Sequence, residues 1–122
     1  MIEQASLYYG KAMEMAKKAG NDHILSSSVC RLSECYVKMG RGEEAMDLHK
    51  SLCDKIGKER MDPDAIIEFA EIMFLDNSMI PHALTILEDH LETIASSWEN
   101  HNQCRAYQMI AKVYRKNNDF AK

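Results

Sequence analysis

The sequence predicts an all-helical protein. Apolar residues recur at steps of three and four along almost the whole chain, and the strict alternation that is typical of half-buried strands is missing. The chain contains only 2 prolines and 5 glycines, and most of them lie at the beginnings or ends of the periodic segments. With 122 residues it is long enough to bury a modest core. We therefore expect a single domain of packed helices.

Three helices are predicted in the first half of the chain. Gly20, Gly40 and Gly57 each follow a periodic segment, where glycine can take the left-handed conformation that ends a helix. Asp22 is expected to cap the second helix through its side chain. Gly10 lies inside the first helix and weakens it relative to alanine, so we expect a neighbouring helix to approach closely there. The expected ranges are residues 2 to 18, 23 to 39 and 43 to 56.

Two further helices are predicted with a proline near their start. Asp62 can cap the fourth helix, and Pro63 costs little at its first position because that position donates no helical hydrogen bond. Ser78 is expected to cap a fifth helix that has Pro81 in its first turns and runs to about Trp98. The side of this helix expected to face the core comprises Ala83, Leu84, Leu87, Leu91 and Ile94.

A sixth helix is predicted over residues 101 to 116. After it, Asn118 or Asp119 can cap a seventh helix, of which only the beginning lies within the chain. The core-facing stripe expected for the sixth helix consists of Cys104, Tyr107, Ile110, Ala111 and Tyr114.

The charge distribution argues against a nucleic-acid-binding surface. The chain has 19 acidic and 15 basic residues, a net charge of −4, and no long run of one sign. An RNA-binding array of helical repeats, which is a rival interpretation, would need a basic groove with stacking aromatic residues. The N-terminus lacks the features of a signal peptide, and no apolar stretch approaches the roughly 20 residues needed to cross a bilayer. We expect a protein of the cytoplasm, or of the nucleus.

The four cysteines are expected to be reduced thiols that fill apolar space. Cys30, Cys35, Cys53 and Cys104 contain no C-x-x-C pair, and each lies on an amphipathic segment. His49 and Cys53 lie four residues apart on one helix, which is a spacing compatible with metal ligation. Two ligands do not make a metal site, so a buried or half-buried structural His49 is the favoured interpretation. We expect no metal, no cofactor and no catalytic activity.

One pattern of large, small and turn residues recurs along the chain. A large residue is followed directly by a small one, then by a large residue three further on, a Gly or Asn four beyond that, and an Ala in the next helix. Tyr36, Met73 and Tyr114 occupy the third position, at intervals of 37 and 41 residues. The sets are Leu32, Ser33, Tyr36, Gly40 and Ala45; Phe69, Ala70, Met73, Asn77 and Ala83; and Ile110, Ala111, Tyr114 and Asn118.

This pattern resembles the tetratricopeptide repeat, and the resemblance covers essentially the whole chain. The period is longer than the roughly 34 residues of the ordinary repeat, and it is similar to the extended repeats of kinesin light chain, rapsyn-like adaptors and bacterial peptide-sensing regulators. The resemblance implies a right-handed α-α solenoid of antiparallel helix hairpins. The implied divisions are residues 1 to 20 (the second helix of a partial repeat), 22 to 57 and 62 to 98 (one repeat each), and 100 to 122 (a partial repeat).

The resemblance also implies a protein-binding function and a binding face. In this family the first helix of each hairpin lines a concave surface that holds a protein or peptide. A non-catalytic scaffold or adaptor is therefore expected, with a peptide-responsive regulatory segment of a larger protein as the alternative. The expected face comprises Ser27, Arg31, Glu34 and Lys38, then Glu68, Glu71 and Leu75, then Arg105, Gln108, Lys112 and Arg115.

The charges of these residues narrow the class of ligand that we expect. A mixed row of acids and bases suits a peptide that carries both signs, although a solvated helix face with ordinary salt bridges is the alternative interpretation. Glu34 stands where family members that grip a C-terminal carboxylate have an asparagine, so that partner class is not expected. Each end of the array would expose an apolar face. We therefore expect a piece of a longer protein, or self-association through these ends.

Overall fold

The computed structural model describes the backbone of residues 1–57 and 60–121, and the side chains of these residues apart from 97 and 117–121. This part of the chain forms α-helices and 3-10 turns and contains no strand, which confirms the all-helical class and is compatible with an α-α solenoid of hairpins. The chain divides into two compact units, Met1–Arg60 and Met61–Lys122. The helices are α1 (Ile2–Ala19), α2 (Asp22–Lys38), α3 (Gly42–Ile56), α4 (Pro63–Met73), α5 (Ile80–Asp89), α6 (Leu91–Ser97) and α7 (Asn100–Ala121).

The first unit is built around α2. This helix packs against α1 on one side and against α3 on the other. Leu25, Val29 and Leu32 follow the predicted helical steps along α2 and are buried. Ala45 of α3 is fully buried, and its small side chain lets two helices approach closely. The division of the chain into repeats stays a prediction.

Two of the predicted glycines end helices in the first unit, but the predicted cap of α2 is wrong. Gly20 and Gly57 close α1 and α3 at φ angles of 67° and 94°, as predicted. The cap of α2 is Asn21 and not Asp22, because the Asn21 side chain accepts a hydrogen bond from the Ile24 N–H at 3.0 Å. Asp22 already lies in the first helical turn, where its charge favours the helix dipole.

Gly10 has no close neighbour, so the expected helix contact there is wrong. A Cβ atom built on Gly10 would meet nothing within 4 Å. The residue lies on the side of α1 that carries the exposed Leu7 and Met15, whereas the packed side carries the buried Ala16. The described residues therefore offer no packing that offsets the cost of this glycine.

The second unit is built around α4 and α5. Asp62 caps α4 as predicted, because its carboxylate accepts the Asp64 N–H at 3.0 Å. Helices α4 and α5 pack together, and α7 packs against both of them. The short α6 contacts α5 and α7. Phe69, Met73 and Leu87 are among the fully buried side chains of this core.

The predicted fifth helix is two helices. It breaks at His90, which ends α5 and precedes α6 with a non-helical φ of −109° and ψ of 7°. The break changes the helical phase, and Leu91 is 40% exposed instead of facing the core. Ser78 is not a cap for this segment. Its N–H instead donates to the Asp76 carboxylate at 3.0 Å, which caps the 3-10 turn Asn77–Met79.

The predicted core-facing stripe of α7 is wrong. Tyr107 and Tyr114 are 48% and 49% exposed, while Ala106, Met109 and Val113 are buried. Of the other predicted residues, Cys104 and Ala111 are exposed and Ile110 is half-buried. The buried residues Ala106, Met109 and Val113 therefore each lie one residue before a predicted one, namely Tyr107, Ile110 and Tyr114.

Small, completely buried residues recur at a nearly constant interval along the chain. Ser33, Ala70 and Ala106 are all completely buried, and they lie 37 and 36 residues apart. Tyr36, Met73 and Tyr114 are not equivalent in burial, because Met73 is buried and Tyr114 is half exposed. The small residue at the helix crossing is thus the better marker of the period.

The predicted turn near Asn118 is absent from the described backbone. Helix α7 continues without interruption to Ala121, so Asn118 and Asp119 lie within it and do not begin a seventh predicted helix. The side chains of these two residues, and hence the predicted capping bonds, lie outside the described residues.

Two leucines four residues apart test the break at His90. We expect Leu87→Ala to lower the free energy of unfolding by about 2–5 kcal/mol, because Leu87 is completely buried. Leu91→Ala should cost less than about 1 kcal/mol because Leu91 lies outside the core. Urea denaturation followed by circular dichroism measures both. Equal losses would contradict the phase change at His90.

Two glycines test the environment of α1. Gly10→Ala should raise the free energy of unfolding by about 0.5–1 kcal/mol, because alanine favours the helix and its Cβ atom meets open space. Gly20→Ala is the matched control and should destabilise, since Gly20 has a φ of 67°. Chemical denaturation of both variants measures the difference. Destabilisation by Gly10→Ala would show that something packs on this position.

Candidate functional site

A groove runs between α4 and α7 within the second unit. It encloses about 200 Å³. Four of its six lining residues belong to the face expected from the sequence, namely Glu71, Arg105, Gln108 and Lys112; the other two are Ile67 and Met109. We call this depression the α4–α7 groove.

The α4–α7 groove has an apolar floor and charged walls. Ile67 and Met109 are buried and form the floor, whereas Glu71, Gln108 and Lys112 are exposed. Ile67 and Glu71 are four residues apart and lie on one side of α4. The three polar residues from α7 follow steps of three and four, so they too share one side of their helix.

Arg105 connects the two walls. Its Nη1 lies 2.6 Å from Oδ1 of Asp64, and its Nη2 lies 4.0 Å from Oε1 of Glu71. Asp64 and Glu71 are seven residues apart on α4, so their carboxylates lie on one face, two turns apart. The ion pairs are solvent-accessible, since the Arg105 side chain is 37% exposed. Such pairs contribute little to stability, about 0–1 kcal/mol, and exchange readily.

Lys112 has a different environment. Its Nζ lies 4.8 Å from the centre of the Phe74 ring, at the C-terminal end of α4. Among the described side chains, no carboxylate lies within ion-pair distance of Lys112. Gln108 precedes it by one helical turn and is exposed, so its amide is accessible from the groove. The Lys112 end of the groove is therefore the more electropositive end.

The remaining predicted residues of the second unit lie outside the groove lining. Glu68 and Arg115 are exposed, and Leu75 is 58% exposed. The position of Asp64 beside the groove was not predicted from the sequence, because an acid in the first turn of a helix is already explained by its favourable interaction with the helix dipole. Its spacing of seven residues from Glu71 was the available signal that both face one way.

The predicted residues of the first unit form a charged row along α2. Arg31 donates from Nη1 to Oε1 of Glu34 at 3.0 Å, and Lys38 lies 3.5 Å from the other oxygen of Glu34. Ser27 is exposed. This arrangement agrees with an ordinary solvated row of salt bridges. The assignment of these four residues to a binding face stays a prediction.

His49 is a buried residue of α3, as the structural interpretation predicted. It is 5% exposed, and its Nε2 lies 3.5 Å from Sγ of Cys53. The spacing of four residues places both side chains on one face of α3. The imidazole and the thiol are within hydrogen-bond distance of each other.

The cysteines differ in environment. Cys30 and Cys35 are buried, as expected of apolar fillers, whereas Cys104 is exposed and does not fill the core. Burial raises the pKa of the Cys35 thiol above its ordinary value, and the nearby Glu34 carboxylate acts in the same direction. Cys35 is therefore a protonated, protected thiol near neutral pH.

A second, more open depression lies along α1, and sequence reasoning did not identify it. It has a volume of about 690 Å³ and is bordered by Leu7, Gly10, Met15, Tyr36 and Arg41, among others. The Arg41 guanidinium stacks over the Tyr36 ring at 4.5 Å and donates to Glu44, which holds the pKa of that carboxyl below its usual value. Most of the surface of this depression is apolar, although Glu3, Lys11, Glu14 and Arg41 also border it.

The fold is all-helical and compatible with a solenoid of helix hairpins, and comparison with known proteins agrees with this fold class. The chain is 26% identical over 119 residues to response regulator aspartate phosphatase A of Bacillus subtilis (strain 168), a protein with tetratricopeptide repeats. The match covers 96% of this chain and 31% of the relative, so the chain spans about a third of that protein. It supports the resemblance to tetratricopeptide repeats, and it does not extend to the kinesin light chain or rapsyn type.

Two other comparisons found no match. No protein-family model and no solved structure matches the chain. In the part of the chain that the structure describes, no helix is both long enough and apolar enough to span a membrane.

The buried thiol of Cys35 makes stability depend on pH. A raised folded-state pKa means that the protonated thiol is favoured by folding, so this stabilisation is complete below the ordinary pKa of 9.0 and is lost as the pH rises through the folded value. We expect the free energy of unfolding to fall more steeply between pH 8 and 10 in the wild type than in Cys35→Ala. The exposed Cys104 supplies the control, because Cys104→Ala should keep the wild-type slope. Identical slopes in all three proteins would contradict this role of Cys35.

Proposed function

We propose that the chain is a non-catalytic protein-interaction module that binds a peptide or a segment of a partner protein in the α4–α7 groove. The observation that carries the proposal is that Glu71, Arg105, Gln108 and Lys112, chosen from the sequence as a binding row, line one groove with an apolar floor. Such a site offers both burial for an apolar side chain and charges that select its neighbours.

The packing of the groove walls supports this proposal. Both walls are helices packed on a common core, with Ile67 and Met109 buried between the charged rows. A preformed site loses little conformational entropy when the ligand binds. The ion pairs of Arg105 with Asp64 and Glu71 are exposed, so a charged ligand can compete with them at small cost.

A peptide-responsive regulatory segment of a larger protein is the second candidate. It is favoured by the match to a bacterial protein named as a response regulator phosphatase, of which this chain spans 31%. In that case, peptide binding would shift the population of two arrangements of the helices. A change in small-angle X-ray scattering on adding a bound peptide would favour this function over a passive scaffold.

Filling the groove tests the proposal. Gln108 is exposed on the groove wall, so Gln108→Trp should occupy the groove without disturbing the core. We expect the immobilised wild-type chain to retain at least one protein from an extract of its own cells. Gln108→Trp should retain about tenfold less of that protein, because the indole ring fills the groove. Quantitative mass spectrometry of the retained proteins measures this loss.

Tyr107→Trp is the matched control for that experiment. Tyr107 is the adjacent residue, is half exposed, and does not line the groove. The variant should retain the same partner as the wild type, and circular dichroism should show equal helicity for all three proteins. Retention of every partner by Gln108→Trp would contradict the proposed site.

A further inference from the structure

The two ends of the α4–α7 groove differ in how their charges are satisfied. At one end, Arg105 already contacts the carboxylates of Asp64 and Glu71. At the other end, the Lys112 ammonium lies over the Phe74 ring and has no carboxylate partner among the described side chains. A cation above an aromatic ring keeps most of its capacity for an anion, because the ring neutralises no charge.

Gln108 completes an anion-binding corner beside Lys112. The two residues are four apart on α7, so their side chains lie on the same face about one turn, or roughly 6 Å, from each other. Both line the groove. An ammonium and an amide N–H₂ group can donate together to the two oxygens of one carboxylate.

The floor beside this corner accepts an apolar group. Ile67 and Met109 line the groove between the charged walls, and the volume of about 200 Å³ suits one side chain of moderate size. Methionine adapts its shape to different apolar side chains, so the floor tolerates several of them.

We propose that the α4–α7 groove selects peptide segments that carry an Asp or Glu side chain next to a Leu, Ile, Val or Met side chain. The carboxylate binds Lys112 and Gln108, and the apolar neighbour packs on Ile67 and Met109. Arg105 is already paired with Asp64 and Glu71, so Lys112 is the cation of the groove lining that no described carboxylate neutralises, and the positive charge at its end favours an acidic over a basic group there. The inference rests on the proposed function, whose site it specifies.

Selection from a random peptide library tests this preference. A phage-displayed library of random 12-residue peptides would be selected on the intact chain, and enriched sequences would be synthesised with a fluorescent label. We expect enriched peptides to contain an acidic residue beside an aliphatic one. Their affinity, measured by fluorescence anisotropy, should fall about tenfold or more in Lys112→Glu, remain within about threefold in Lys112→Arg, and weaken with added salt.

Two matched variants separate the possible outcomes. Lys50→Glu reverses an exposed charge on α3, outside the groove, and should leave the affinity unchanged. Enriched peptides that are blocked by Gln108→Trp but lack acids, or that bind Lys112→Glu as well as the wild type, would overturn the acidic preference and leave the proposed groove standing. If Gln108→Trp weakens the binding of none of the selected peptides, the proposed function itself fails.

Discussion

The burial of α4 on all but one side is the constraint that shapes the second unit. Ile66, Phe69, Ala70 and Met73 are completely buried, so the core occupies most of the circumference of this short helix. The solvent-exposed side of α4 carries three acids, Asp64, Glu68 and Glu71, which are four and three residues apart and therefore lie on one face. Their position is set by the packing, because a carboxylate elsewhere on α4 would be buried at a cost of several kcal/mol.

Helix α7 meets this acidic stripe with a stripe of the opposite sign. Its buried residues Ala106, Met109 and Val113 fix its rotation, and that rotation directs Arg105 and Lys112 to the groove. The core contacts therefore place the charges, and the exposed ion pairs add only a little stability. The charges of the proposed binding site can therefore change without loss of the fold. The proposed binding residues and the residues that stabilise the core are different residues on the same two helices.

The sequence predicted those features that depend on local chemistry. Gly20, Gly57 and Asp62 act at their helix ends as predicted, because a left-handed residue or a side-chain cap depends on a few neighbours. The break at His90 was not predictable, since no Gly or Pro marks it and tertiary packing determines it. The rotation of α7 was not predicted, because Tyr107 and Tyr114 have the spacing of a buried stripe but are half exposed, whereas the small Ala106 is completely buried against the core. Four of the six groove residues were nevertheless among those expected, because the resemblance to the tetratricopeptide repeat indicated the helices and helical spacing indicated the side of each helix.

The size of the groove limits how the module can act. A stable protein–protein interface buries about 1,200–2,000 Å², whereas a groove of about 200 Å³ holds one side chain and its neighbours. Contacts of this size give modest affinity and fast dissociation. That behaviour suits reversible binding better than permanent assembly. In the proposed binding mode Lys112 selects an acidic residue while Arg105 stays with Asp64 and Glu71, so discrimination between ligands does not require high total affinity.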